Sequence, residues 1–88
     1  MKYTKENMRG IGVLTNNPDQ SYKIVQKFIS MGIDPNGNGG TASKGAYGFI
    51  KNNKLEGLYC TKDFKSTISF EEFMNDNEDE IINNFEIY

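Results

Sequence analysis

Between Tyr22 and Met31 the apolar residues Tyr22, Ile24, Val25, Phe28, Ile29 and Met31 recur at spacings of three and four, the period of a helix with one face turned to a core. The flanks carry start and stop signals. Asn17 stands where a side-chain oxygen caps the first turn, and Pro18 occupies the first helical position, where its missing N–H costs nothing. Asp19 favours the positive helix end, and Gly32 supplies a left-handed terminator. The spacing therefore predicts a helix over 17–32 that packs through Tyr22, Val25, Phe28 and Ile29, with Ile24 and Met31 at the margin of that face.

Elsewhere the pattern shortens to a period of two. Met8 to Leu14 reads as a first strand, with Ile11 and Val13 on one face and Gly10, Gly12 and Leu14 on the other. Glycines on one strand face lower stability, so something is expected to approach closely there: a bulge, the packed helix or a ligand. Ala46 to Ile50 and Leu55 to Cys60 read as two arms of a hairpin joined by Lys51-Asn52-Asn53-Lys54, whose asparagines tolerate positive φ. Residues 36–45 form a glycine-rich surface loop. Lys62 to Ser66 reads as a polar connection. Thr67 to Met74 then has the form of a brief strand feeding a helical turn, with Ser69 and Glu72 at capping-box spacing and Phe70, Phe73 and Met74 as its apolar face. Residues 1–7 are expected to fray or extend an edge. In the acidic segment 75–88, alternation at Phe85 and Ile87 suits a last strand, and a helix over Glu78 to Asn83 is equally defensible. The order predicts a single α+β domain over 1–88: a small antiparallel sheet of about three or four strands packed on one amphipathic helix, with a second short helix near the C-terminus.

Composition narrows the functional classes. Apolar residues make up only 36% of the 88, yet six Phe and five Tyr each bring roughly 150 Å² or more of burial to a core. A chain this short buries only about two-thirds of its unfolded surface, which favours a surface site over an enclosed one. The net charge of −2 gives no overall field for nucleic acid or an anionic membrane. All ten Lys and Arg lie before Glu71, whereas Glu71, Glu72, Asp76, Glu78, Asp79, Glu80 and Glu86 follow with no basic residue among them. That end reads as a solvated acidic face or, through Glu71, Asp76, Glu78, Asp79 and Glu80, as a surface for a basic partner. Cys60 is the single cysteine and there is no histidine, which argues against a disulfide, a zinc site and Ser-His or Cys-His nucleophile pairs. Cys60 itself, near the end of an apolar strand, is expected to be a small buried hydrophobe. With no signal peptide and no membrane-length apolar run, a cytoplasmic protein is expected.

The glycine-rich loop is the main candidate site. It combines unhindered backbone donors at Gly39 and Gly40 with the hydroxyls of Thr41 and Ser43 and the Lys44 cation, a set suited to phosphate. Neither G-x-x-x-x-G-K-[ST] nor G-x-G-x-x-G opening a helix is present, and a mobile connector or a partner-contacting loop fits the same residues. Tyr47, Phe49, Tyr59 and Phe64 interleave with Lys44, Lys51, Lys54 and Lys62, a combination that stacks bases and neutralises phosphate or, more simply, fills a core. A ligand site of Arg9, Gly39, Gly40, Thr41, Ser43, Lys44, Tyr47 and Tyr59 follows. No catalytic residue, metal site or cofactor is expected; Asp76-Asn77-Glu78-Asp79 lacks the glycine of a calcium loop.

Taken together, the helix ending Phe28-Ile29-Ser30-Met31-Gly32, the glycine-rich loop, the hairpin from Tyr47 to Tyr59 and Thr67-Ile68-Ser69-Phe70-Glu71-Glu72-Phe73 resemble the layout of small α+β accessory proteins of bacteriophages. The resemblance implies a non-enzymatic protein that inhibits a host or anti-phage defence factor by stoichiometric binding. From the residues themselves comes an alternative: an oligomer that captures a phosphorylated signalling nucleotide through the glycine loop, Arg9 and the hairpin aromatics. A structural or assembly subunit is the third reading.

Overall fold

A computed structural model describes residues 3–75. Strand β1 (Ile11–Thr15) leads into helix α1 (Pro18–Ser30), followed by β2 (Gly45–Gly48), β3 (Glu56–Leu58), β4 (Ser66–Ile68) and the short helix α2 (Phe70–Met74). One turn of 3₁₀ helix, Thr61–Asp63, lies between β3 and β4. The helix starts as its sequence signals require. The Asn17 side chain accepts the Gln20 N–H at 2.8 Å, and the Gln20 side chain in return accepts the Asn16 N–H at 2.9 Å. Ser69 likewise caps α2 by accepting the Glu72 N–H at 3.0 Å.

The four strands form one sheet in the order β3-β2-β1-β4. The hairpin pairs β2 and β3 antiparallel with Tyr47 opposite Gly57, and β1 joins β2 antiparallel with Val13 opposite Tyr47. The last pairing departs from the all-antiparallel expectation. Strand β4 runs parallel to β1, Gly12 facing Thr67, and the sheet is mixed. The reason lies in the chain path: β3 and β4 occupy opposite edges, so residues 59–65 cross the sheet and enter β4 in the direction of β1.

Helix α1 covers one face. Val13, Tyr47 and Phe49 meet Ile24, Val25 and Phe28 there, all buried. The rings form a connected row, Phe28 lying 6.1 Å from Phe49 in an edge-to-face contact and 4.9 Å from Phe73 of α2, which in turn lies 6.0 Å from Tyr3. Two expectations are corrected here. The buried face of α1 is Ser21, Ile24, Val25 and Phe28, and Tyr22 and Ile29 are 55% and 39% exposed. The face is rotated because Ser21, a polar residue invisible to a count of apolar positions, is drawn inward by its hydrogen bonds. Residues 3–8 are not frayed: Tyr3 and Met8 are buried, Tyr3 donates to Glu72 Oε2 at 2.6 Å, and Thr4 and Asn7 close a turn on each other. The last strand or helix and the acidic surface expected over 76–88 lie outside the described residues.

The opposite face of the sheet is covered by the crossing segment. Gly12 precedes Val13 in β1 and Gly48 follows Tyr47 in β2, and the ring of Phe64, 5% exposed, lies on both. A Cβ on Gly12 would stand 2.5 Å from Phe64 Cδ2, and one on Gly48 would stand 2.8 Å from Phe64 Cε1 and 2.5 Å from the Ile11 carbonyl oxygen. The close approach expected at the β1 glycines is thus an aromatic ring seated on a floor without side chains. What read as a polar connection at 62–66 carries a core residue.

Two predictions follow from this packing. Phe28→Ala removes the central ring of the aromatic row and should cost about 3–5 kcal/mol, comparable to the whole stability of a small domain, so thermal melting should show an unfolded or barely folded chain. Gly48→Ala should destabilise more than Gly12→Ala, because it meets backbone as well as the ring. In a double-mutant cycle, Phe64→Ala should relieve much of the Gly12→Ala penalty and little of that of Gly48→Ala.

Candidate functional site

The glycine-rich segment is built onto the edge of the sheet. Asp34 and Lys54 form a parallel bridge, with the Asp34 N–H donating to Asn53 O and the Leu55 N–H to Asp34 O, both at 2.8 Å. Pro35-Asn36-Gly37-Asn38 then reverses the chain. Asn36 and Gly37 have φ of 54° and 79°, and the Asn38 N–H bonds Pro35 O at 2.9 Å, the features of a type I′ turn. The Asn36 and Asn38 amides both donate to Leu55 O, at 3.2 and 3.0 Å, which ties the turn to the residue entering β3.

Beyond the turn the segment docks on α1. Gly40 is buried at φ +74°, and a Cβ there would stand 2.7 Å from the Tyr22 Cα, so only glycine admits so close an approach. Ser21 Oγ donates to Ala42 O at 2.5 Å, the Ala42 N–H donates to the Tyr47 hydroxyl at 3.3 Å, and Thr15 Oγ1 lies 2.7 Å from Ser21 Oγ behind them. The segment is anchored at its turn, at Gly40 and at Ala42, in place of the mobile connector that its composition suggests.

Between this segment and the hairpin lies a groove of about 270 Å³. One wall is Gly37, Asn38, Gly39, Thr41, Ala42 and Lys44; the other is Ala46, Tyr47, Gly57, Leu58 and Tyr59. Tyr47 packs across its cross-strand partner Gly57, where a Cβ would stand 2.9 Å from the ring. That leaves a shallow trough at the β3 edge. Tyr59 is 81% exposed at the rim. Among the described residues Lys44 has no ion pair, the Thr41 and Tyr59 hydroxyls have no hydrogen-bond partner, and the amides of Gly39 and Thr41 donate to no acceptor. A second concavity of about 260 Å³ adjoins it and shares Lys44 and Tyr59; it is lined further by Leu14, Thr15, Asn16, Gly45, Thr61, Ser69, Phe70 and Glu71.

Of the ligand set expected from the sequence, Gly39, Thr41, Lys44, Tyr47 and Tyr59 meet in the first groove. Gly40 and Ser43 do not line it, and Gly40 instead seats the segment on α1. Arg9 is elsewhere. Its guanidinium donates to Ile50 O at 3.3 Å, Lys51 O at 3.1 Å and Asn53 Oδ1 at 2.8 Å and sits 5.1 Å from the Phe49 ring centroid, so it clamps the hairpin turn. Phe49 and Phe64 are buried, which reduces the expected stacking surface of the hairpin to Tyr59. Cys60 is exposed and not the small buried hydrophobe expected, because the strand ends at Leu58 and the chain turns outward. Of the partner set, Glu71 lines the second concavity, and Asp76, Glu78, Asp79 and Glu80 lie outside the described residues.

Asn38, Gly57 and Ser21 were not among the candidates. Asn36-Gly37 is a strong type I′ signal that marks the chain reversal carrying Asn38, whereas nothing local marks Ser21 as an anchor. No group of three or more His, Cys, Asp or Glu is placed to hold a metal among the described residues, and none of their helices is long and apolar enough to cross a membrane.

Ser21→Ala leaves the Ala42 carbonyl without its donor and should cost about 1–3 kcal/mol. Amide hydrogen exchange at Ala42, whose N–H bonds the Tyr47 hydroxyl, should accelerate while the amides of β1 and β2 keep their protection, a difference readable by NMR.

No protein-family model matches this chain, and neither a curated protein nor a solved structure matches it.

Proposed function

We propose that this chain is a non-enzymatic binding protein whose groove between residues 37–44 and β3 captures a small phosphorylated ligand of nucleotide type. One observation carries the reading: the donors left without partners, Lys44 Nζ, the Thr41 hydroxyl and the amides of Gly39 and Thr41, border the same groove as the exposed ring of Tyr59. A cation and backbone donors suit a phosphate, and an exposed ring suits the π-face of a base. The hydrogen bonds at Leu55, Ser21 and Tyr47 hold the walls in place without ligand, which lowers the ordering cost of binding. A groove this small and open leaves much of a nucleotide in water, and tight capture calls for a second copy of the chain closing over the first.

A second reading keeps the phage-accessory resemblance: stoichiometric inhibition of a host or defence factor. It is favoured by Leu14, Phe70 and Tyr59, which present apolar surface beside Glu71 around the second concavity. Such a partner competes with nucleotide for Tyr59, which makes the two readings separable by competition.

Lys44→Ala should change stability by less than about 0.5 kcal/mol, since Lys44 is exposed and bonded to nothing among the described residues. The same change should weaken nucleotide binding by about tenfold or more, the size of a charge-assisted hydrogen bond. Tyr59→Ala should cost a similar factor through lost stacking. Calorimetric titration with a panel of nucleotides, beside thermal melts and light scattering, checks these outcomes. A panel in which no nucleotide binds would remove the capture reading.

A further inference from the structure

The two concavities meet at Lys44 and Tyr59, which line both. From this we infer that the ligand is two-armed, a free dinucleotide with its internal phosphate at Lys44 and one base in each groove; the inference rests on the nucleotide reading above.

The volumes support a joint occupant. At about 270 and 260 Å³, either groove alone falls short of the roughly 300–1,000 Å³ of a small-molecule site, and the two joined fall within it. The charges support one central anion. Among the described residues Lys44 is the single cation lining either groove, and it stands where they join. Glu71, the single carboxylate among the described lining residues, lies in the second groove alone. It repels a phosphate there and accepts a hydrogen bond from a base amine or a ribose hydroxyl. Two separate mononucleotides would bring two terminal phosphates to one ammonium. A dinucleotide brings one internal phosphate and places an uncharged, flat arm on each side. Tyr59 offers a ring to both grooves, and the second adds the half-buried ring of Phe70 beside Leu14, which is 38% exposed.

The probes are adenosine monophosphate and the dinucleoside monophosphate adenylyl-(3′→5′)-adenosine, titrated into the full chain labelled with ¹⁵N. The dinucleotide carries less charge, so attraction to Lys44 alone favours the monophosphate. The expected result is the reverse: binding of the dinucleotide about tenfold tighter, equivalent to about 1.4 kcal/mol. The amides of Gly39, Thr41 and Gly57 in the first groove and of Leu14 and Thr61 in the second should shift together. Leu14→Ala should cut the dinucleotide's advantage over the monophosphate several-fold, and a ¹⁵N spectrum that keeps its dispersion shows that the variant is folded. Equal or tighter binding of the monophosphate, with shifts confined to the first groove, would overturn the dinucleotide and leave the mononucleotide reading standing. Absence of binding by both would overturn both. A longer oligoadenylate that binds more tightly than the dinucleotide would overturn the free ligand in favour of a nucleic-acid strand.

Discussion

The ring of Phe28, held between Phe49 of the sheet and Phe73 of α2, is the contact on which the described chain depends. It joins the sheet to both helices. Phe49 follows directly on β2, Phe28 is the last buried residue of α1, and Phe73 is the one buried residue of α2. Tyr3 extends the row, the Arg9 cation lies over Phe49 and that of Lys27 over Phe73 and Tyr3, with Lys27 Nζ also donating to the Phe73 carbonyl oxygen. Aromatic side chains bury large areas with few rotatable bonds, which lets a chain that is only 36% apolar close a core.

With both helices on one face, the second face of the sheet needs cover as well, and no helix is present there among the described residues. A single ring does the work instead. Phe64 lies on Gly12 and Gly48, as Tyr47 lies on Gly57 on the helix side. In both places glycine gives up its own packing, at a backbone entropy cost, and an aromatic neighbour recovers the contact area. The arrangement brings the 59–65 crossing close to the sheet, and the same crossing delivers Tyr59 to the rim of both grooves.

The grooves are consequences of how the edge of β3 is protected. A short, exposed edge strand invites pairing with other chains. Here the Asp34 bridge and the two asparagine amides at Leu55 cover its start, and the 37–44 segment stands off from the rest, leaving the trough. The wall is positioned by the buried Ser21 and Thr15 hydroxyls, so the site rests on a polar pair inside α1 and β1 and not on the loop's own composition.

Much of the architecture was determined by the sequence alone, because the signals were local. The α1 caps, the β2–β3 hairpin, the Ser69 cap of α2 and the alternation of Ile11 and Val13 against Gly12 and Leu14 all depend on residues a few positions apart. The groove residues Gly39, Thr41 and Lys44 were legible for the same reason. Only the tertiary structure decided the rest. The parallel β1–β4 pairing depends on which edge the 59–65 crossing reaches. The rotation of α1 toward Ser21 depends on a carbonyl 21 residues away, at Ala42. Arg9 is drawn to carbonyls more than forty residues along the chain, at Ile50 and Lys51, away from the glycine segment that its charge seemed to suit. In each case the deciding partner is remote in sequence, and no local periodicity or spacing encodes its position.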